Sequence, residues 1–393
     1  MDKKIYLDYN ATTPCDPIVV NHMLPFFNDK FGNPSSSHHA YGWIARDAVA
    51  ESAKSIARNL GISASTLTFT SGATESANMI LKSFAGNNKR GPNHIITCKT
   101  EHKAVLDTCE VMQSTGQVDV TYLDVDEMGL INLAELKASI RPETVLIAIM
   151  HANNETGTIQ PLVKIKKIIE DLDIKLFTDA TQSLGKVPMD EVFEAADYAC
   201  FSGHKLYGPK GVGLVYARSG KEDNHLTSLI QGGGQQNRMR GGTLNTPSIA
   251  GFAKAVELAY STLDEEQERL SHLRNRLESG LLNIELARLN SQAENRLPNT
   301  TNISFSYVDG FKLLSALSKN IAVSNGSACN SSNENPSHVL TAMGIKEDLA
   351  FSSLRISLGK YTTESEVDRA IEVISGEVGK LRADNILWER RVV

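Results

Sequence analysis

The segment Ser202-Gly203-His204-Lys205-Leu206-Tyr207-Gly208 places a lysine beside a histidine and between glycines, directly after the apolar run Tyr198-Ala199-Cys200-Phe201. A lysine is usually a solvated surface charge, but one at a strand end can form a Schiff base. Upstream, Asp179 follows the run Lys175-Leu176-Phe177-Thr178, with Gln182 three residues later. A carboxylate at the mouth of a parallel strand is placed to pair with a buried cation. Earlier still, Ser71-Gly72-Ala73-Thr74-Glu75-Ser76 follows the run ending at Thr70. Small residues opening a helix let backbone amides meet an anion, and the Thr74 hydroxyl adds a donor. Alone, the Ser71–Ser76 segment reads equally well as a helix cap, and Asp179 reads more readily as one; no Gly-Lys-Ser/Thr makes the former a Walker A loop. Together, a lysine, an acid and a phosphate cradle are what pyridoxal phosphate needs.

A second kind of chemistry lies near the end. Ser324-Asn325-Gly326-Ser327-Ala328-Cys329-Asn330-Ser331-Ser332-Asn333 puts a thiol in a loop of small polar residues, where it can move and react. Cys98 and Cys200 fall in apolar strand patterns and read as core residues, and Cys109 as an ordinary helical one. Cys15 is unassigned. Arg355, on Leu354-Arg355-Ile356-Ser357-Leu358, suits a substrate carboxylate gripped by two parallel hydrogen bonds, although alone it reads as an ion-pair residue.

The elements that must position these residues alternate between two periods. Strands are expected at Thr66–Thr70, His94–Cys98, Val118–Leu123, Thr144–Met150, Lys175–Thr178, Tyr198–Phe201 and Gly213–Ala217. Between them, Ile44, Ala48, Val49, Ala53, Ile56 and Leu60 mark one helix face stopped by Gly61, and Val163–Leu172 another helix. This alternation predicts an α/β fold with a mostly parallel, doubly wound sheet, whose ligands lie beyond the carboxyl ends of the strands. After about Ser261 the texture changes. Leu263, Leu270, Leu273, Leu277 and Leu281 ride a charged helix, strands follow at Thr301–Phe305 and Leu354–Ser357, and Thr363-Glu364-Ser365-Glu366 opens a last helix. The expected division is an N-terminal segment (1–18) packing with a small α+β domain (262–393), and a large domain (19–261) that binds the cofactor.

Composition excludes several classes. A chain of 393 residues is long enough for about two to three domains, and 41% hydrophobic with 22% charged residues is ordinary for a globular protein. Forty Lys plus Arg against 46 Asp plus Glu give a net charge of −6, which argues against a coat for nucleic acid or an anionic membrane. No apolar run approaches the ~20 residues that span a bilayer, and the acidic start is unlike a signal peptide. Five scattered cysteines without a Cys-x-x-Cys pair make a disulfide framework or zinc ribbon a poor reading, so a reduced, cytoplasmic chain is expected.

With these residues assembled, the chain resembles a cysteine desulfurase of the NifS/IscS group, among the fold-type I, class V aminotransferase-like pyridoxal-phosphate enzymes. The likeness runs from Tyr6-Leu7-Asp8-Tyr9-Asn10-Ala11-Thr12-Thr13-Pro14 to about Leu381. It includes Phe69–Ser76, Glu101-His102, Asn153-Asn154-Glu155-Thr156-Gly157, Asp179–Gln182, the lysine segment, Arg240-Gly241-Gly242-Thr243, Gly326–Cys329 and Arg355. The resemblance implies that Lys205 carries the cofactor, that His102 stacks on its ring, and that Asp179 keeps the ring nitrogen protonated. Gln182 would bond the ring's phenolate oxygen. Ala73 (by its backbone), Thr74, Ser202 and His204 would hold the phosphate, with Thr243 added from the other subunit of a homodimer. Asn154 and Arg355 would orient the carboxylate of L-cysteine.

By the same resemblance, Cys329 attacks the substrate sulfur, L-alanine leaves, and the persulfide passes to an acceptor protein. An iron–sulfur scaffold, tRNA thiolation carriers and DNA phosphorothioation machinery are the candidate acceptors. The short stretch after Leu387-Trp388-Glu389 favours a dedicated acceptor over housekeeping duty. A selenocysteine lyase or a pyridoxal-phosphate transaminase would share the cofactor site, but transamination does not require the Gly-Ser-Ala-Cys loop. A non-catalytic sulfur-trafficking scaffold would be expected to lack Lys205, Asp179, His102 or Arg355, and all four are present.

Overall fold

A computed structural model of the chain describes residues 4–88, 91–220, 225–291, 294–325 and 336–391. Its strands are β1 (Ile5–Tyr6), β2 (Leu67–Thr70), β3 (Asn87–Asn88), β4 (Gly91–Cys98), β5 (Val118–Leu123), β6 (Thr144–Ala148), β7 (Lys175–Asp179), β8 (Tyr198–Ser202) and β9 (Gly213–Ala217), then β10 (Ala287–Leu289), β11 (Thr300–Phe305), β12 (Ile321–Ala322) and β13 (Ser353–Ser357). The central sheet has the order β2-β9-β8-β7-β6-β4-β3, with β5 also paired to β4. Its middle is parallel, from β5 through β4, β6 and β7 to β8. β9 and β2 are antiparallel additions at one edge. Only residues 203–212 connect β8 to β9, too few for the crossover that a parallel pair needs.

Apolar cores cover both faces of this sheet. Ile96, Ile147, Leu176, Ala199 and Leu214 belong to one, while Ile95, Leu146, Phe177, Cys200 and Val215 belong to the other. Alternate residues of each strand thus enter opposite layers, which explains the near-continuous apolar runs. Each fully buried aliphatic side chain contributes about 1.5–3 kcal/mol. The helix Ala40–Leu60 covers one face and ends at Gly61, whose φ of 67° is the left-handed cap conformation. One expectation is corrected here. Ile44 lies on the outer side at 44% exposure, while Ala45, Ile56 and Leu60 face inward. The rest of the expected face keeps its phase, with Ile56 and Leu60 buried and Val49 and Ala53 packed against the core.

A second core forms around Leu270, Leu273, Leu277 and Leu281 of the helix Leu263–Leu282 and Val367, Ile374 and Val378 of Glu364–Ala383. The latter helix opens with the reciprocal capping box of Thr363 and Glu366. These helices pack beside the antiparallel sheet β10-β11-β13. Ile5 and Leu7 join this core, and β1 pairs in parallel with β12. The N-terminal segment then continues toward the ends of the central strands, where Asn10, Ala11 and Thr13 meet Lys205, His204 and Tyr207.

Candidate active site

The carboxyl ends of β4, β6, β7 and β8 open on a cleft of about 590 Å³, lined among others by Ala73, Thr74, His102, Asn154, Asp179, Gln182, Ser202, His204, Lys205 and Arg355. Ten of the sequence-derived site residues thus meet in one place. Thr243 does not; it is solvent-exposed and does not line this cleft. Cys329 lies outside the described residues.

One end of the cleft suits an anion. The helix Ala73–Ser83 begins at Gly72 with no side-chain cap, leaving its first amides to a ligand. Glu75 is turned aside, accepting from Ser71 N at 2.8 Å and from Arg240 at 2.9 Å. Although burial opposes it, the Arg240 and Ser71 bonds hold its carboxyl below the usual range. A Cβ on Gly72 would stand 3.8 Å from Ser202 Oγ, so the Ser202 hydroxyl borders the helix start. Gly213 is required beside it, because a Cβ there would approach the Gly72 Cα to 2.5 Å. His204 completes this end. Burial, helped by Lys205, Lys210 and Lys186, lowers its pKa to about 4, so it is a neutral imidazole near pH 7. Its Nδ1 meets Thr12 Oγ1 at 3.1 Å.

The middle suits a protonated ring nitrogen. Asp179 closes β7 at 7% exposure, with Oδ1 accepting from Thr181 N at 2.9 Å. Below it, burial and then the Asp179 charge push the Cys200 thiol far up, so this cysteine stays an inert thiol. His102 caps the helix Lys103–Ser114 by accepting from Ala104 N at 3.1 Å through Nδ1, which leaves the proton on Nε2. Burial lowers its pKa, so the ring is neutral and able to stack. Glu101 is fully enclosed beneath. One oxygen accepts from Met150 N and the other has no partner. Burial and then Asp179 push its carboxyl well above the usual range.

Lys205 Nζ donates to the carbonyls of Asn10 at 2.6 Å and Ala11 at 2.7 Å. Gln182 Nε2 donates to the same Asn10 oxygen at 3.0 Å. Asn154 is carried by a turn that Asn153 organises, its Oδ1 accepting from Glu155 N at 2.8 Å and Thr156 N at 3.0 Å. Arg355, on β13, is 2% exposed and donates to Asp8 Oδ1 at 2.8 Å, while its Nε has no partner. An enclosed guanidinium with an unsatisfied donor beside the cleft fits a carboxylate ligand.

Both ends of the stretch that carries Cys329 are fixed by hydrogen bonds, one of them to this arginine. Ser324 bridges Arg355 by backbone bonds of 2.6 and 3.3 Å. At the other end, Ser337 Oγ donates to Glu155 Oε2 at 2.5 Å, and His338 Nε2 meets the Glu101 carbonyl at 3.0 Å. Sequence reasoning missed Asn10, Glu101 and His338 as site components. Asn10 and Glu101 stood in segments quoted for their likeness, but nothing in their spacing announced their contacts. The residues present fit pyridoxal phosphate: an amine, an enclosed acid, an uncapped helix start and an orphaned arginine donor share one cleft.

Comparisons with known proteins agree with this chemistry. Residues 5–370 match the family Aminotransferase class-V. The chain is 45% identical over 386 residues to the cysteine desulfurase IscS of Anaeromyxobacter dehalogenans (strain 2CP-C), covering 98% of this chain and 95% of that protein. Among solved structures it is similar to a NifS-like protein (TM-score 0.87, 38% identity, 96% of this chain and 100% of that one). It is also similar to SspA in complex with cysteine (TM-score 0.78, 38% identity, 92% and 100% coverage).

Proposed function

The chain belongs to the aminotransferase class-V family, and within it to the pyridoxal-phosphate-dependent cysteine desulfurases, and on that premise we propose a division of labour among its residues. The observation that carries the reading is the meeting of Lys205, Asp179 and the uncapped start of Ala73–Ser83 in one cleft at the strand ends. When bound, the cofactor supplies an electron sink that stabilises negative charge at the substrate α-carbon and loosens the bond to sulfur. Lys205 Nζ would hold it and would also move the substrate α-proton. Asp179 would keep a proton on the ring nitrogen, His102 would stack on the ring, and Gln182 Nε2 would donate to the phenolate oxygen. The Ala73 amide, Thr74, Ser202 and neutral His204 hold the phosphate. Asn154 and Arg355 orient the carboxylate of L-cysteine, Arg355 offering its unpaired Nε.

Cys329 Sγ, as thiolate, attacks the substrate sulfur. A sulfur–sulfur bond forms, the carbon–sulfur bond breaks with its electron pair left on carbon, and protonation there gives L-alanine. The persulfide on Cys329 then passes to an acceptor protein. Residues 19–261 act as the cofactor domain and 262–393, with 1–18, as the small domain. A homodimer is supported by apolar side chains exposed together on residues 18–44, among them Leu24, Phe27, Phe31, Tyr41 and Trp43 at 45–62%, and by Thr243 standing outside its own cleft. A thiol that carries a persulfide works in a reduced compartment, which supports a cytoplasmic site of action. No helix among the described residues is long and apolar enough to cross a membrane.

The test is Cys329→Ser. The variant should keep the visible absorbance of the bound cofactor while alanine formation from L-cysteine falls by on the order of 10³ or more. Near-normal alanine formation would overturn the role given to Cys329.

A further inference from the structure

One polar side chain at the back of the cleft has no part in the scheme above. Lys186 stands four residues after Gln182, and its Nζ donates to Gln182 Oε1 at 2.7 Å and to Asn10 Oδ1 at 3.2 Å. Both acceptors are neutral. Among the described residues no carboxylate lies within ion-pair distance of it, although Lys205 and Arg355 are near enough to repel its charge. Part of its side chain borders a small cavity of about 60 Å³ that Asp16 and Glu266 also line. Those two acids are committed elsewhere, Asp16 to Lys360 at 2.6 Å and Glu266 to Arg269 at 2.9 Å. A neutral amine has two N–H donors and an ammonium three. Two neutral acceptors match the neutral form.

The partners of Lys186 bear on the cofactor. The Asn10 carbonyl only accepts, so Gln182 must present Nε2 to it, and Lys186 takes Oε1 at the same time. The Gln182 amide is thereby prevented from flipping. Asn10 is held on every side: its carbonyl by Lys205 and Gln182, its Oδ1 by Lys186 and Asn299, and its Nδ2 by the Asn154 carbonyl and Thr300 Oγ1. We propose that Lys186 is a positioning residue for the cofactor pocket, one that keeps the Gln182 Nε2 donor on the cleft side and the Asn10 carbonyl under the Lys205 amine.

The inference rests on the pyridoxal-phosphate reading of the cleft and deepens it. It also carries a pH dependence. Burial, then Lys205 and Arg355, lower the Lys186 pKa to about 7, so its charge changes within the working range. His204 lies close enough to feel that charge, and Lys360, Tyr9 and Tyr207 face it across the cavity with Asp16 and Glu266. Gaining a positive neighbour lowers the proton affinity of a group in the pocket, and losing one raises it.

The test uses the cofactor-loaded, full-length protein and two variants, each checked for folding by circular dichroism. The readouts are the midpoint of the pH titration of the visible absorbance and the dissociation constant for pyridoxal phosphate. Lys186→Met removes the donors and the charge. Its midpoint should rise, and its cofactor affinity should weaken by roughly tenfold, the scale of a lost hydrogen bond. Lys186→Arg keeps donors and a permanent charge, so its midpoint should fall below that of the wild type, even if the methionine variant does not fold. An unchanged midpoint in whichever variants fold, with affinity retained and only thermal stability lowered, overturns the positioning role alone. A wild-type protein that takes up no cofactor overturns the functional reading as well.

Discussion

The two ends of the cleft are built in different ways. The cofactor end is assembled from the tips of neighbouring strands in one parallel sheet, so Asp179, Ser202 and the Asn153–Gly157 turn inherit their positions from β7, β8 and β6. The sulfur end is assembled from distant pieces. Arg355 comes from the small antiparallel sheet, Asp8 from the N-terminal segment, and Ser324, Ser337 and His338 from either side of the stretch carrying Cys329. The first end takes its geometry from one continuous parallel ladder, whereas at the second only Arg355 sits in a ladder, with β11, and the other pieces are joined by single contacts. The cofactor should therefore be held much the same whether or not sulfur chemistry proceeds, and damage should be separable.

The most severe variant ought to erase that separation. Lys205→Ala removes the amine proposed to hold the cofactor. Visible absorbance of covalently held cofactor should be absent, and alanine formation should fall by on the order of 10³ or more in a product assay. Arg355→Ala should act at one end only. Cofactor absorbance stays, while KM for L-cysteine rises by roughly 10–100-fold, as expected for loss of a charge-assisted bond. If the cofactor were lost as well, the two ends would be mechanically one. Ser337→Ala should be milder still. It leaves the Glu155 carboxylate without its hydroxyl donor, and the rate of alanine formation should drop by roughly tenfold with cofactor affinity unchanged.

The smallest effect concerns acid. His94, wedged between Thr144 Oγ1 at 2.8 Å and Thr121 Oγ1 at 2.9 Å, His151 on Ser183, and His204 all belong to the sheet half. Burial lowers each to about 4. Unfolded histidines take up protons near pH 6.5. The unfolded chain therefore binds more protons than the folded one between about 6.5 and 4, and stability falls as pH falls through that window. Calorimetry should show the melting temperature dropping by roughly a few degrees between pH 7 and 5, and His94→Gln should flatten the slope. An equal slope in that variant would assign the effect elsewhere.

Much of the sheet half was legible in sequence because its signals are local. β5 and β9 have the expected bounds, Val118–Leu123 and Gly213–Ala217: β9 is buried throughout, and in β5 Val118, Val120 and Leu123 are buried while Asp119 is exposed. β6 closes at Ala148 rather than Met150, because the Met150 amide is drawn to Glu101, far away in sequence. The lysine, the aspartate and the helix start, picked out by type and order, line one cleft. The roles of Asn10, Glu101 and Lys186 were not, because their meaning lies in tertiary contacts rather than in spacing. Lys186 in particular looks in sequence like any lysine after a short apolar turn. Ile44 misled for a related reason: an exposed apolar residue at a plausible helical spacing carries no mark of which surface it will serve.

The Asn10 junction has a consequence for biosynthesis. Its partners are Asn154, Gln182, Lys186, Lys205, Asn299 and Thr300, and the adjoining backbone is fastened to Ser357. Asn10 thus waits for a residue 347 positions later before its junction is complete. At roughly 5–20 residues per second, the leading segment spends on the order of tens of seconds outside the ribosome without its binding site. The sheet can form during that interval, but the wall behind the lysine amine closes only after Ser357 has emerged. Loading of the vitamin-derived group should accordingly be a late event in the maturation of the chain, and truncated nascent chains ending before β13 should fail to retain it.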